Sequence, residues 1–302
     1  MNYKIYKLKF NAPVHFGNGV LNESALNFQA DTLFSALYIE AMKPGLEGEL
    51  YDAVKNEKLL FSDAFPYIKD RYFLPKPMLY VEPRDQGDSK QKKQYKKLKY
   101  IPAEKMGDYL AGDVNPEECG LHGLGRAYSQ VMAAVRREED TLPYRVGNYL
   151  FNEGSGLYII AALENEDAQY LLEDLLDSLS YAGIGGKRNS GKGRFELRNG
   201  SKTDCLLDML EKKSGRYMLL SSALPQEDET DAALADAAYL LQKRSGFVYS
   251  ESYAEEQRKK RELFTMQAGS CFANRFHGDI YDVGEGGAHA VYRYAKVLFL
   301  GL

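Results

Sequence analysis

Five glycines and four cations lie close together between Tyr181 and Phe195. The glycines are Gly183, Gly185, Gly186, Gly191 and Gly193. The cations are Lys187, Arg188, Lys192 and Arg194, and the small polar residues among them are Asn189 and Ser190. Glycine allows positive φ and lets a bulky anion approach main-chain N–H groups, while the cations supply countercharge. This segment, which we call the glycine loop, therefore predicts a phosphate-binding site.

A nucleotide hydrolase is disfavoured, although residues 186–192 match the Gly-x4-Gly-Lys spacing of a P-loop. Gly193 stands where a P-loop needs Ser or Thr to hold Mg²⁺. A P-loop also follows a strand and opens a helix, whereas residues 167–182 have a helical pattern and residues 194–199 a strand pattern. A glycine-rich turn whose charges are merely solvated remains an alternative.

Composition indicates a globular chain of 302 residues, 44% of them hydrophobic, which is enough for two medium domains. The three cysteines, Cys119, Cys205 and Cys271, form no paired framework. With no apolar run after Met1 and no stretch of membrane-spanning length, we expect a cytoplasmic protein without a membrane partner. The formal net charge of −4 argues against coating nucleic acid over the whole surface, but it allows a local basic groove.

The positive charge is concentrated, since residues 84–100 carry seven Lys or Arg against two Asp. Within them, the span from Lys90 to Tyr100 interleaves tyrosines with lysines, as a contact that follows a nucleic-acid strand would. A solvated linker is an equally good interpretation of this span.

Hydrophobic periodicity predicts the elements that position the glycine loop. We expect a strand over residues 2–16, then a helix with Leu33, Phe34 and Leu37 inward and Asp31 as its cap. Residues 73–81 should be extended, and the spacing of hydrophobic residues near 128–135 indicates a helix. Residues 156–163 predict a strand, residues 167–182 a helix and residues 194–199 a strand.

The order strand, helix, insertion, strand, helix, strand predicts an α+β fold with antiparallel sheets. We expect a ferredoxin-like (RRM-like) domain over 1–200, with a long insertion at about 80–150 and a second strand hidden in the middle. A degenerate second ferredoxin-like domain is expected over 201–302. Its predicted elements are a strand at 216–222, a helix at 230–243, and strands at 246–252 and 263–273.

Several segments resemble the RAMP superfamily of CRISPR-associated proteins, whose hallmark is a glycine-rich loop after the last helix of a ferredoxin-like domain. Within that superfamily the chain is similar to subunit four of the type III-A (Csm) effector complex. The segments that carry this resemblance are 13–24, 29–37, 74–78, 97–102, 269–272, 281–283 and 291–294.

The resemblance implies a non-catalytic subunit of a ribonucleoprotein in antiviral defence, without a cofactor. Such a subunit holds the repeat-derived 5′ tag of the CRISPR RNA. It also joins the large polymerase/cyclase-like subunit to the backbone of repeated RAMP subunits. Single-stranded RNA suits a sheet with aromatic residues and basic loops, because bases stack on aromatic rings while cations bind phosphates.

RNA contacts are expected in two loops, because the end of the first strand should lie close to the glycine loop in a ferredoxin-like sheet. In the first loop we expect Phe16 to stack on a base. The predicted RNA-binding residues are His15, Phe16, Gly17, Gly19, Gly185, Gly186, Lys187, Arg188, Asn189, Ser190, Gly191, Lys192 and Arg194.

The rival prediction is a RAMP-type endonuclease that cuts repeat RNA with His15 as general base. No second histidine lies in either loop to complete such a site. Asp31 is a candidate for cutting target RNA, but its place before Leu33 favours an ordinary helix cap. Cys119 and His122 form a single Cys-x-x-His half-pair, so we predict no metal site.

Overall fold

A computed structural model describes residues 1–17, 19–84, 89–136, 139–201, 203–250 and 252–302 of the chain. The elements of its first two thirds are β1 (Asn2–Phe10), α1 (Ala30–Met42), α2 (Glu47–Lys55), β2 (Leu59–Phe61), β3 (Phe65–Ile68), β4 (Arg71–Pro75), α3 (Ser89–Lys97), β5 (Tyr100–Pro102), α4 (Met106–Leu110), β6 (Gly125–Arg136), β7 (Glu139–Phe151), β8 (Ser155–Leu163), α5 (Glu166–Ala182) and β9 (Phe195–Asn199). The last third contains α6 (Asp204–Glu211), β10 (Tyr217–Leu219), α7 (Thr230–Leu234), β11 (Leu241–Arg244), β12 (Leu263–Met266), β13 (Cys271–Phe272), β14 (Gly278–Asp282), β15 (Tyr292–Lys296) and β16 (Phe299–Gly301).

The main sheet has the strand order β5-β4-β3-β8-β1-β9, and β2 also pairs with β8. Every pairing is antiparallel; Ile5 of β1 lies opposite Ile160 of β8, and Phe10 opposite Phe195 of β9. The strands predicted at 156–163 and 194–199 are confirmed as β8 and β9, and the strand predicted over 2–16 is confirmed as far as Phe10. The predicted hidden strand is β2 and β3, both of which lie beside β8.

Helices α1 and α5 pack on this sheet because their leucines face the same core. Leu33 and Leu37 of α1, and Leu172 and Leu176 of α5, are fully buried there. The Asn165 side chain caps α5 by accepting a hydrogen bond from the Ala168 N–H at 2.9 Å. Helix α5 thus confirms the helix predicted at 167–182 and leads directly into the glycine loop.

The start of α1 corrects the role expected for Asp31. Gln29 is the N-cap, while Asp31 lies inside the first turn and is 3% exposed. Its carboxylate accepts hydrogen bonds from Arg244 at 2.6 and 2.9 Å and from Arg293 at 2.5 Å. Asp31 is therefore a buried anion between two arginines of the C-terminal third, and not an ordinary helix cap.

The helix predicted near 128–135 is wrong, because this segment is strand β6 of a long hairpin with β7. Tyr128 lies opposite Asn148 and Val131 opposite Arg145. Both faces of β6 are exposed from Arg126 to Val131, and within the described residues the two strands form a sheet of their own. Spacing alone suggested a buried helical face, whereas pairing with the adjacent strand β7 decides the conformation.

The C-terminal third departs most from the prediction. Helix α7 ends at Leu234, and Asp236 adopts φ 53, so the predicted helix over 230–243 is wrong. Leu241 instead begins β11 and pairs with Met266 of β12. The strand predicted at 246–252 is reduced to an isolated bridge at Phe247, and the predicted strand at 263–273 is split into β12 and β13.

The structure refines the prediction for two further segments, one before the insertion and one within it. The predicted extended segment 73–81 ends as a strand at Pro75. Most of the lysine-rich span is helix α3, and the side chains of Lys92, Lys93, Lys96 and Lys97 on it are exposed. In the described part of the chain, no helix is long and apolar enough to cross a membrane.

Candidate nucleic-acid interface

The glycine loop joins α5 to β9, and backbone geometry at two positions requires glycine. Gly183 has φ 81, and its N–H donates to Leu179 O at 2.7 Å, which ends α5. Gly193 has φ 77, and a Cβ there would lie 2.1 Å from Ile184 O. The two ends of the loop therefore approach closely, and the residues between them project as a compact turn.

The loop lies directly against the segment that follows β1, as the sequence predicted. The Gly193 N–H donates to Pro13 O at 3.0 Å, and the Gly186 N–H donates to His15 O at 2.8 Å. A Cβ at Gly185 would lie 2.7 Å from His15 O. Glycine at 185 thus serves close packing between the two loops, besides any contact with a ligand.

Only some of the loop's N–H groups remain for an anion. Ser190 and Gly191 donate within the turn, to Lys187 O and Arg188 O. Among the described residues, no backbone acceptor binds the N–H groups of Gly185, Lys187, Arg188 and Asn189. Lys187 adopts the left-handed conformation, with φ 60 and ψ 28, so consecutive N–H groups follow it along one tight turn. This part of the loop is where an anion can be bound by the main chain.

Two of the predicted cations stack on tyrosines from other parts of the chain. The Lys187 ammonium lies 5.0 Å from the centroid of Tyr144, and the Arg188 guanidinium lies 5.4 Å from that of Tyr249. Both distances suit cation–π contacts. Tyr144 belongs to β7, and Tyr249 is 71% exposed. The pairs place aromatic faces beside cations, as binding of single-stranded nucleic acid requires.

The other two predicted cations differ in accessibility. Lys192 is 6% exposed, and its ammonium donates to Gln130 Oε1 of β6 at 2.8 Å. Burial lowers the pKa of Lys192. Arg194 is exposed, as are Asn189 and Ser190 at the tip of the turn. Lys192 therefore connects the glycine loop to the β6–β7 hairpin through its hydrogen bond to Gln130. An RNA phosphate would reach Arg194 more readily than Lys192.

The positive charge of the glycine loop has no anionic partner among the described residues. In the described part of the chain, no carboxylate forms an ion pair with any of the four loop cations, although surface pairs such as Lys55 with Asp279 are present elsewhere. Four cations with an unpaired N–H turn make a local positive site on an acidic protein.

His15 and Phe16 are both buried, which changes their expected roles. Nδ1 of His15 lies 2.7 Å from Gly147 O; since a carbonyl only accepts, Nδ1 carries the proton. Phe16 is 3% exposed and packs edge-on against Phe10 and Phe28. The predicted base-stacking role of Phe16 is therefore contradicted by its burial, and Phe16 is a core residue.

Gly17 and Gly19 lie beyond these buried residues on the exposed side. No heavy atom lies within 4 Å of a Cβ built at either position, and Gly19 has φ 103. Packing does not explain these glycines, so they remain predicted RNA contacts. Asn18 between them lies outside the described residues.

Sequence reasoning missed that the β6–β7 hairpin and the segment around Tyr249 also lie beside the glycine loop, where Tyr144 and Tyr249 contact its cations. Val14 and Tyr149 exchange two backbone hydrogen bonds of 2.9 Å, and the Gly147 N–H donates to Leu21 O at 2.9 Å. These bonds fix the base of the hairpin beside the first loop. The alternation of Leu142, Tyr144 and Val146 was the available sequence signal of a strand, but helical spacing around Val131 concealed its partner.

Nuclease chemistry finds little support in this geometry. His15 is enclosed and holds Gly147, and Asp31 is held by two arginines. Burial raises the pKa of Asp31, but the nearby Arg244 and Arg293 outweigh that effect and keep it below its usual value. Among the residues that the structure describes, no three His, Cys, Asp or Glu side chains are grouped as metal ligands would be.

Known proteins similar to this chain share one family name. The model of the CRISPR Csm4 C-terminal domain matches residues 212–302. The CRISPR system Cms protein Csm4 of Mycobacterium tuberculosis (strain CDC 1551 / Oshkosh) is 38% identical over 309 residues, covering 100% of this chain and 98% of the relative. Csm4 of Streptococcus thermophilus is also 38% identical, over 312 residues that cover 100% of this chain and 99% of the relative.

Solved structures agree on the fold. A chain from a Csm3-Csm4 subcomplex of the type III-A CRISPR-Cas interference complex superposes with a TM-score of 0.66 and 19% identity, covering 99% of each chain. A chain from a Csm1-Csm4 cassette in complex with AMPPNP superposes with a TM-score of 0.64 and 21% identity, covering 100% of this chain and 98% of the other.

Proposed function

The chain belongs to the Csm4 family of CRISPR-associated proteins, and from that membership we propose that it is a non-catalytic RNA-binding subunit of a type III-A effector ribonucleoprotein. It holds the 5′ tag of the CRISPR RNA in the groove between the glycine loop, the segment after β1 and the β6–β7 hairpin. The observation that carries this proposal is the positive turn at 185–189, whose N–H groups and cations have no anion from the described protein.

The groove has separate parts for phosphate and base. Lys187, Arg188 and Arg194 are accessible cations for the phosphates, while Tyr144 and Tyr249 bring aromatic rings beside them. Base stacking on such rings contributes roughly 1 to 3 kcal/mol per base. RNA bound in this way is held by its phosphates and by stacked bases, which suits a single strand.

We further propose two ferredoxin-like domains, over 1–200 and 201–302. The strand order β9-β1-β8 with β2 and β3 beside β8, and helices after β1 and β8, supports the first domain. The matched C-terminal family model over 212–302 supports the boundary. The family's structures with Csm1 and with Csm3 support a bridging role between the large subunit and the RAMP backbone.

Removing the accessible cations tests the RNA site. The triple variant Lys187→Gln, Arg188→Gln, Arg194→Gln should bind single-stranded tag RNA more weakly. The slope of log K against log salt should fall in magnitude by about 2, because each lost phosphate contact removes about 0.7 for a single strand. Affinity measured at several salt concentrations by fluorescence anisotropy gives that slope.

A matched control replaces three exposed lysines outside the groove, Lys58, Lys69 and Lys213, by Gln. The overall charge changes equally, so this variant should keep the wild-type slope. Equal slopes for all three proteins would show that the loop cations do not contact RNA. Lys192 is left unchanged because it is buried, and its loss would confound binding with folding.

The endonuclease alternative is tested separately by incubating repeat RNA with the purified chain. We expect no cleavage, since His15 is enclosed. Products formed by the wild type and absent with His15→Gln would assign cleavage to this chain and refute the non-catalytic role.

A further inference from the structure

A second candidate site lies in the insertion, outside the glycine-loop groove. A cavity of about 600 Å³ is lined by residues 79–83, by residues 112–116 and by side chains of helix α3. Its volume falls within the range of roughly 300 to 1,000 Å³ that is typical of small-molecule sites. None of its lining residues belongs to the proposed RNA groove.

Aromatic rings form one part of this cavity. Tyr95 of α3 and Tyr109 of α4 are stacked, with centroids 5.6 Å apart and planes at 15°. Tyr80 is 90% exposed at the same cavity. The Tyr95 hydroxyl is buried and interacts with the hydroxyl of Tyr109, although it makes no hydrogen bond of standard geometry within the described residues. A planar ligand would cover the exposed ring of Tyr80.

Cations form another part. The Lys76 ammonium donates to Tyr95 O at 3.1 Å and lies 5.3 Å from the Tyr95 ring centroid. Burial lowers the pKa of Lys76, and no described carboxylate forms an ion pair with it. Lys92 and Lys96 of α3 also line the cavity. An anionic ligand group near Lys76 would stabilise the charged form of its side chain.

Two acidic residues, Asp113 and Glu82, also line the cavity. Asp113 is paired with Arg84 at 2.7 Å, so its charge is already balanced. Glu82 lies on the same wall. A carboxylate is an acceptor only, and the cis hydroxyls of a ribose are suitable donors.

We propose that this cavity binds one ribonucleotide unit. The base lies against the tyrosines, the phosphate lies by Lys76, Lys92 and Lys96, and the ribose hydroxyls donate to Glu82. The unit is either a free mononucleotide or the terminal nucleotide of an RNA chain, since both carry the same base, ribose and phosphate.

The proposal is tested by calorimetric titration of the full chain with AMP, and of the triple glycine-loop variant of the full chain with a 5′-phosphorylated single-stranded RNA octamer; the cavity variants are made in both backgrounds. Tyr80→Ala should weaken binding at the cavity about 5- to 150-fold through lost stacking. Lys76→Gln should weaken it about tenfold or more through the lost charged contact. The matched controls are Tyr170→Ala, whose ring is 59% exposed on α5, and the exposed Lys58→Gln; both should bind like wild type.

The two sources give different results. AMP binding that weakens in both cavity variants, with octamer binding unchanged, identifies a free nucleotide. Octamer binding that weakens in both variants identifies an RNA terminus. The proposal is overturned if neither ligand loses affinity in both variants, or if inorganic phosphate binds as tightly as AMP. The triple glycine-loop variant should leave AMP binding intact, so failure here is distinguishable from failure of the proposed RNA groove.

Discussion

At the scale of single residues, the glycines of the loop divide into two groups with different physical reasons. Gly193 is required by close packing, since its Cβ would meet a carbonyl oxygen. Gly191 has the same φ of 77, but no heavy atom lies within 4 Å of its Cβ position. Gly191 is therefore free to face a ligand, whereas Gly193 holds the loop closed.

This difference predicts unequal stability losses. Gly191→Ala should cost about 1 kcal/mol of unfolding free energy from its left-handed backbone alone. Gly193→Ala carries the same backbone cost and adds about 1 to 3 kcal/mol of steric conflict with Ile184 O. Urea unfolding followed by circular dichroism measures both. Equal losses in the two variants would mean that the loop ends do not approach as described.

At the scale of elements, helix α5 is the support of the whole glycine loop. Its buried leucines pack on the main sheet, and its last turn passes directly into Gly183. The hairpin β6–β7 is the opposite case, because its exposed residues contribute little core and it is held at its base by hydrogen bonds to residues 14 and 21. Stability at the site thus comes from α5, and the hairpin adds contact surface.

Leu175→Ala should therefore destabilise the protein by about 2 to 5 kcal/mol, because it leaves a cavity in the core where Leu175 is 3% exposed. Tyr170→Ala on the exposed side of the same helix controls for helix propensity and should cost much less. Thermal or urea unfolding provides the comparison. A loss at Leu175 no greater than that at Tyr170 would show that the helix face is wrongly assigned.

At the scale of the whole molecule, buried charges connect the C-terminal third to the main sheet. Asp31 of α1 binds Arg244 of β11 and Arg293 of β15. Asp63, between β2 and β3, accepts hydrogen bonds from Ala30 N and Ser222 N, both at 2.8 Å. Burial raises the pKa of Asp63 to about 6, although these hydrogen bonds lower it.

The raised pKa of Asp63 predicts a pH dependence of stability. Between its ordinary value of 3.8 and about 6, the folded protein keeps a proton that the unfolded chain releases. Asp63 therefore contributes its full stabilisation below about pH 3.8, and this contribution is lost as the pH rises through about 6. The free energy of unfolding changes by roughly 3 kcal/mol over this range.

The neutral variant Asp63→Asn isolates this effect from all other titrating groups. The difference in unfolding free energy, wild type minus variant, should fall as pH rises from 4 to 7 and then level off. A difference that stays constant across this range would show that Asp63 is ionised normally in the folded protein.

The sequence by itself determined the elements in which the spacing of hydrophobic residues shows which face is buried. Helix α5 and strands β1, β8 and β9 have regular hydrophobic spacing, and the glycine loop between α5 and β9 is local in the chain. The contact between that loop and residues 13–16 followed from the order of these elements. Segments with such strong local patterns keep their conformation in the folded protein because their hydrophobic faces pack into the main core.

Only the tertiary structure decided the rest, because partners outside a segment overrule that segment's local preference. Residues 128–135 have helical spacing, yet they form a strand once β7 lies beside them. Residues 241–244 leave the helical pattern to pair with β12. Burial placed Phe16 in the core and Asp31 between two arginines. Tertiary packing brought Tyr144 and Tyr249 to the loop cations. These contacts join residues far apart in the chain, so no local pattern encodes them.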